Sequence, residues 1–435
     1  MSPQLTVQTP LQLPPSEIPS YLDQLWSHDE IGKQGANTFT LLVWQPAWME
    51  QKLIRSGKVK GPILGNQRIE IIEAARNIII KENLPHSTCP LDISVYNSLS
   101  KNESKEKAED LRGQYIDKAI SELQPRRLIT LAPTLDNDIA LETLVAAYCP
   151  LPEDGDGNSA CGDVVVLRGN NKSLNNGLGI LKDLIPEELP SWLWWNGSLD
   201  EAPDLLQKLA LSNRRLIIDS ALGKPTRCLE LLNQKLNNGQ AVNDLNWLRL
   251  RGWRETLAMV FDPLDRRASL TGVVNLDIDI EGKHPVQGLL LASWISDRLG
   301  WELKDCTTNN NNLIEASFSR KDGNTVNFRL MPLPIGNPSI HPGQIVGLRL
   351  ICKSEQNSQK DICVILASES GECMRLEAGG MASMELIEEV VPNQHDSVEM
   401  DVARLLGSSR GTSSPLLEAA TPIAFNMLKS SKLCK

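Results

Sequence analysis

Aromatic residues other than tryptophan are scarce, with five Phe and four Tyr in 435 residues against ten Trp. Histidine is equally sparse. His28, His86, His284, His341 and His395 lie far apart, and none forms the H-x-x-x-H pair that presents two metal ligands on a helix face. The nine cysteines are Cys89, Cys149, Cys161, Cys228, Cys306, Cys352, Cys363, Cys373 and Cys434. They contain no C-x-x-C, which excludes a zinc ribbon and a thioredoxin-type motif. Their odd, scattered number suits free thiols packed as small hydrophobes in a reducing compartment. No apolar run approaches the roughly twenty residues that a membrane-spanning helix requires. The stretch from Met1 to Ser20 is rich in Pro and Gln and lacks the basic and apolar regions of a targeting segment, so the expected location is cytoplasmic. Acid exceeds base, 54 Asp and Glu against 44 Lys and Arg, for a net charge of −10. That balance argues against nucleic acid and membrane as partners.

The motifs of nucleotide and acyl chemistry are missing as well. Gly177 and Gly179 begin a G-x-G that lacks its third glycine, and there is no Walker A sequence and no G-x-S-x-G elbow. Asp154, Asp156 and Asn158 look like the start of a calcium loop, but the twelfth position is Val165 where a bidentate Glu is needed. Asp277, Asp279 and Glu281 alternate along a strand, a spacing that can hold a metal or do acid–base work. Interleaved with Leu276, Ile278 and Ile280, however, they read as the solvated face of a half-exposed strand. No nucleophile, base and orienting group come together. No catalytic residue, cofactor or metal is assigned, which lowers the expectation of an enzyme without excluding one, since catalytic groups are recognised by geometry.

What is present is a rhythm of short apolar runs: Thr38–Trp44, Arg127–Leu131, Asp163–Leu167, Trp192–Trp195 and Arg215–Ile218. Helix-like segments separate them over 46–80, Asp138–Tyr148, Leu174–Leu184 and Pro203–Leu211, with a solvated loop over Ser98–Glu109. Continuous Val, Leu and Ile strands alternating with helices predict an α/β domain over 37–240, a Rossmann-like open parallel sheet covered on both faces. An arm over 1–36 precedes it, with a short helix over Ser20–Ser27. After Gln240 the pattern changes. A Trp- and Arg-rich helix is expected over Leu245–Phe261, an alternating strand over Val273–Ile280 and an amphipathic helix over His284–Leu299. Runs beginning at Trp301, Ala316, Asn324, Ile345 and Ile362 predict an antiparallel meander, followed by a helix over Ala382–Val390. This is an α+β domain over 241–400, with a helix and tail over 401–435.

The densest constellation is Asp244, Asn246, Trp247, Arg249, Trp253 and Arg254. Trp and Arg are the residue types of interface hot spots, which makes these six candidates for binding a partner. They are also the types that stack as cation–π pairs inside a protein, and both readings stay open. Around this stretch stand Gln124-Pro125-Arg126-Arg127 leading a strand, SWLWWNG (Ser191–Gly197), RRLIIDS (Arg214–Ser220), DLNWLRLRGWRE (Asp244–Glu255) and LLLASWISDRLGW (Leu289–Trp301). In this order they resemble the OpcA family of glucose-6-phosphate dehydrogenase assembly proteins of cyanobacteria and actinobacteria. TFTLLVWQPAW (Thr38–Trp48) and LPHSTCPLD (Leu84–Asp92) resemble its longer cyanobacterial branch.

The resemblance implies a non-catalytic allosteric activator. Such a protein binds glucose-6-phosphate dehydrogenase, stabilises its active oligomer and supports NADPH production in the oxidative pentose phosphate pathway. The family is further associated with thioredoxin-linked redox control, which would make thioredoxin a second partner. Cys352, Cys363 and Cys373 are this chain's redox candidates. A symmetric hairpin around KSEQNSQKDI would set Cys352 opposite Cys363, and a bridge there needs Cα atoms about 4.4–6.8 Å apart. A rival reading is a sugar-phosphate-binding enzyme or sensor using Asp219–Lys224, at the carboxyl edge of the sheet where open α/β folds bind ligands.

Overall fold

A computed structural model describes residues 5–7, 11–27, 39–44, 127–133, 141–150, 162–185, 187, 189–200, 202–334, 343–353, 361–369, 373–380, 387–392, 398–407 and 413–431. The helix expected over 46–80, the loop over 98–109 and the segments LPHSTCPLD and EDGDGNS lie outside the described residues. The chain forms two compact units. The first comprises Met1–Gly197, Glu201–Ile218 and Ser397–Gly411, and the second Ser198–Asp200, Asp219–Asp396 and Thr412–Lys435. Helix Pro225–Asn237, grouped with the first domain in the sequence reading, belongs to the second unit.

The first unit is built on a mostly parallel sheet. Its strands are β1 (Leu5–Val7), β2 (Leu11–Gln12), β3 (Thr40–Trp44), β4 (Arg127–Pro133), β5 (Glu142–Pro150), β6 (Gly162–Gly169), β7 (Ser191–Trp195) and β8 (Arg215–Ile218). Neighbours run β6-β4-β3-β7-β8, all parallel. Every residue of β3, β4 and β7 is buried, as a sheet covered on both faces requires. The buried charge at the strand starts is paired. Arg127 of β4 donates from Nε to Asp163 Oδ1 of β6 at 2.6 Å and from Nη2 to Oδ2 at 2.9 Å, and its Nη1 reaches the Leu184 carbonyl at 2.6 Å. A buried bidentate pair of this kind satisfies two charges that neither solvent nor the apolar strands could.

Helices α1 (Ile18–Ser27), α2 (Asn171–Gly177) and α3 (Pro203–Leu209) flank the strands. The Asn170 side chain caps α2 by accepting from Ser173 N at 2.8 Å, and Pro203 opens α3.

Two expectations are corrected here. The helix over Asp138–Tyr148 is instead the strand β5, paired antiparallel with β6 from Glu142↔Arg168 to Tyr148↔Gly162. Its Leu and Ala residues suit a helix, but β-branched Thr143 and Val145 point to one buried face and the ladder decides. Part of the N-terminal arm joins the sheet. β1 and β2 add to the far edge of β5, and the Thr143 hydroxyl donates to the Leu13 carbonyl.

The second unit holds β9 (Val242–Asp244), β10 (Val273–Glu281), β11 (Glu302–Thr308), β12 (Ile314–Ser319), β13 (Thr325–Leu333), β14 (Ile345–Cys352), β15 (Ile362–Glu369), β16 (Cys373–Gly380) and β17 (Ile387–Pro392). Eight of these form one sheet in the order β11-β12-β13-β10-β14-β15-β16-β17. The meander expectation holds except at its centre, where β10 pairs in parallel with β13. The helix expected over Ala382–Val390 is corrected too: Ile387–Pro392 is a strand on the edge of β16, consistent with its β-branched Ile387, Val390 and Val391.

The α-helices of five or more residues described in this unit are α4 (Pro225–Asn237), α5 (Leu245–Arg249), α6 (Arg251–Val260), α7 (Val286–Leu299) and α8 (Pro415–Ser430). The single helix expected over Leu245–Phe261 is therefore two, divided at Leu250. Side chains alternate along the sheet. Val326, Phe328 and Leu330 of β13 and Leu276, Ile278 and Ile280 of β10 face inward under α7. Gly288 permits that close approach, since a Cβ there would lie 2.3 Å from Leu330 Cδ1. Helix α8 then packs on α7 and α4.

Candidate functional site

Three of the six residues singled out in the sequence, Asp244, Asn246 and Arg249, meet in a buried polar network inside the second unit. Asp244 ends β9 and caps α5, with Oδ1 accepting from Asn246 N at 3.2 Å. The same carboxylate accepts from Ser220 N at 2.9 Å and Ser220 Oγ at 2.7 Å. Asn246 Nδ2 donates to Ser220 Oγ at 3.1 Å, and its Oδ1 accepts from Gln287 Nε2 of α7 at 3.0 Å. Gln287 Oε1 in turn accepts from Ile345 N of β14 at 2.8 Å. Arg249 grips Asp219 with two bonds, Nη2 to Oδ1 at 2.6 Å and Nη1 to Oδ2 at 3.0 Å. One turn, two helices and one sheet strand are thus tied through side chains that the solvent does not reach. Burial first, and then the neighbouring charge of Asp219, push the Asp244 carboxyl up to about 6, against the opposing Ser220 bonds.

This placement changes the reading of the constellation. Asp244, Asn246, Trp247, Arg249 and Trp253 are all buried, and the half-buried Arg254 stacks its guanidinium 3.8 Å above the Trp247 ring. Five of the six are thus packed inside the second unit, and only Arg254 among them is partly exposed. Ser220 and Gln287 were missed as members. The available signal was a polar residue closing a buried strand run, RLIIDS, and a lone glutamine in the apolar helix VQGLLLAS.

The turn Asp219–Lys224 is poorly suited to an anion. Four of its backbone N–H groups are already engaged: Ser220 with Asp244, Ala221 with the Asp219 side chain, Leu222 with the Asp219 carbonyl and Lys224 with Asp200. The Gly223 carbonyl faces His284 Nε2 at 3.0 Å. The carboxylates of Asp200 and Asp219 make the local field negative, the wrong sign for a phosphate.

In the first unit the order of strands reverses between β3 and β7, the point at which a doubly wound sheet leaves a crevice for a cofactor. The last residues of these strands, Trp44 and Trp195, are register neighbours. Their rings stack across that point at 4.4 Å and 3°. Both are essentially unexposed, at 1% and 0%.

The redox candidates are not brought together. Strands β14 and β15 pair Cys352 with Ile362 and Cys363 with Ile351, one residue out of the symmetric register expected. The two thiols therefore point to opposite faces of the sheet, and the cross-strand bridge is ruled out in this register. Cys352 is buried, which pushes its thiol up to about 12, whereas Cys363 and Cys373 are half-buried. The Asp277 face is also corrected: Asp277 is buried, not solvated, and accepts from Arg329 Nε at 2.8 Å and Arg349 Nε at 2.9 Å. These two arginines hold its carboxyl below the usual range even though burial opposes them.

Two family models match the chain. One, described as the C-terminal domain of a glucose-6-phosphate dehydrogenase subunit, covers residues 240–421, and one described as its N-terminal domain covers 117–234. The chain belongs to the OpcA family. The OpcA of Synechococcus elongatus is 31% identical over 412 residues, covering 92% of each chain. The OpcA of Synechocystis sp. is 27% identical over 427 residues, 93% of this chain and 89% of that one. Both carry provisional names as OxPP cycle proteins. Among solved structures, KijD10, a 3-ketoreductase from Actinomadura kijaniata, aligns at 8% identity and a TM-score of 0.38 over 57% of this chain and 80% of its own. At that distance nothing about activity passes between them. Among its described residues the chain has no helix long and apolar enough to cross a membrane.

Proposed function

We propose that this chain is a non-catalytic assembly factor that binds glucose-6-phosphate dehydrogenase and favours its active oligomer within the oxidative pentose phosphate pathway. The observation that carries the reading is the match of two family models, described as the N-terminal and C-terminal domains of a glucose-6-phosphate dehydrogenase subunit, over residues 117–234 and 240–421. Activation without chemistry is a population shift, in which the factor binds the active state more tightly than the inactive one. Each preference of about 1.4 kcal/mol moves the equilibrium roughly tenfold.

The test is a titration of the purified chain into the dehydrogenase of the same organism, following NADPH formation and complex mass together. Saturable activation with a stable complex is expected, and no complex at any ratio would overturn the reading. Thioredoxin-linked control is the finer part of the proposal. Repeating the titration on oxidised and reduced chain tests it, and a redox difference would implicate the half-buried Cys363 and Cys373 rather than Cys352. Calorimetry with glucose 6-phosphate and with NADP tests the rival sugar-phosphate reading, and neither is expected to release heat.

A further inference from the structure

One face of the second unit's sheet is covered by α7 and α8, and among the described residues no helix covers the other. Across the middle of that open face, four adjacent strands carry one charged residue each at the same height. The order is Glu315 on β12, Arg329 on β13, Asp277 on β10 and Arg349 on β14. The signs read minus, plus, minus, plus. Arg329 and Arg349 share the single Asp277 carboxylate, yet their side chains remain 42% and 47% exposed, and Glu315 is exposed.

We propose that this face is a two-fold interface with a second copy of the same chain. A ladder that alternates in sign over an even number of strands is complementary to its own reverse. A two-fold axis along the strands, between β13 and β10, sets Glu315 of one copy against Arg349 of the other, a contact that occurs twice, and brings each Arg329 over the other copy's buried Asp277 and the arginines that cover it. Strand directions in the two sheets then stay nearly aligned, the usual way sheets stack. No other placement of an axis along the strands matches all four rungs. The overlap takes in the six strands from β11 to β15, about 29 Å by 20 Å or roughly 580 Å² of face. That is near the lower limit of a specific interface, about 600 Å² per partner. The dimer is accordingly of micromolar strength, and it weakens with salt because its central contacts are charge pairs.

The test uses the full chain in analytical ultracentrifugation, with circular dichroism to verify folding. Wild type is expected to dimerise reversibly at tens of micromolar or below. Arg349→Glu places like charges opposite one another and raises the dissociation constant at least tenfold, and so does Glu315→Lys. An equimolar mixture of the two variants associates again, because each mismatched residue now meets its opposite, and the double variant Glu315→Lys/Arg349→Glu dimerises with itself. A wild type that stays monomeric to 100 µM overturns the proposal, as does a dimer indifferent to both reversals or a mixture that fails to associate. If the wild type is monomeric and Arg349→Glu instead loses the dehydrogenase, the face belongs to that partner and the second-copy proposal is wrong. The activation titration is read separately, so its failure and the failure of the dimer are distinguishable.

Discussion

The two sheets handle charge in opposite ways. In the first unit the central strands are buried along their whole length, and the prominent buried ion pair, Arg127 with Asp163, sits at the strand starts. In the second unit strands such as β12 and β13 alternate, and charges stand in a row across the open face. A sheet wrapped on both sides has no face left to offer a partner. In a sheet wrapped on one side, the outer positions are relieved of core packing and can specify something else. The buried network around Asp244 belongs to the first kind of chemistry even though it lies in the second unit, since its charges serve only each other.

Substitutions can break this contrast. The largest effects are expected where a buried group loses its partner. Arg249→Ala leaves Asp219 uncompensated in the interior and should cost about 3–5 kcal/mol in urea unfolding. Trp195→Ala opens a cavity beside Trp44 and should cost a similar amount, about 3–5 kcal/mol. If either variant unfolds like wild type, the described burial is wrong.

A pH series sharpens the comparison. The Asp244 carboxyl, raised to about 6, contributes stability that is present below its unfolded value near 3.8 and lost as pH climbs to about 6. Relative to Asp244→Asn, wild type should therefore be more stable at pH 4 than at pH 7. Asp277 is lowered and runs the other way, its contribution present above the unfolded value of 3.8 and lost on acidification. Parallel slopes for the two aspartates would erase the distinction between network and ladder.

Smaller effects follow on the open face. Arg349→Ala should alter unfolding by about 1 kcal/mol, because its guanidinium is half exposed and Arg329 still holds Asp277. The smallest effect concerns the thiols: peptide mapping of oxidised chain should find no Cys352–Cys363 link, and Cys363→Ser should shift stability by no more than about 0.5 kcal/mol.

Much of the first sheet was legible because runs such as TLLVW and DVVVL have only one comfortable environment. β5 was not, since ETLVAAY satisfies a helix and a strand about equally and only the neighbouring β6 chooses between them. The parallel pairing of β10 with β13 joins residues some fifty positions apart and leaves no local trace. The DLNW segment stood out in the sequence but could not be placed. Tryptophan and arginine look the same in sequence whether they anchor a partner or close a core, and the polar groups that settle the matter, Ser220 and Gln287, come from elsewhere in the chain. The charge ladder was half visible, as Asp277 on an alternating strand. Its arginines lie on other strands and became its neighbours only through folding.

The stacked indoles of the first unit also have an optical consequence. Two rings at 4.4 Å in nearly parallel planes couple their ultraviolet transitions, so Trp44 and Trp195 should contribute a paired band of opposite signs to the circular dichroism spectrum. They lie on strands far apart in the chain, and the couplet vanishes as soon as β3 and β7 separate. It gives this sheet a spectroscopic signal of its own, by which its melting can be followed while the second unit is still intact.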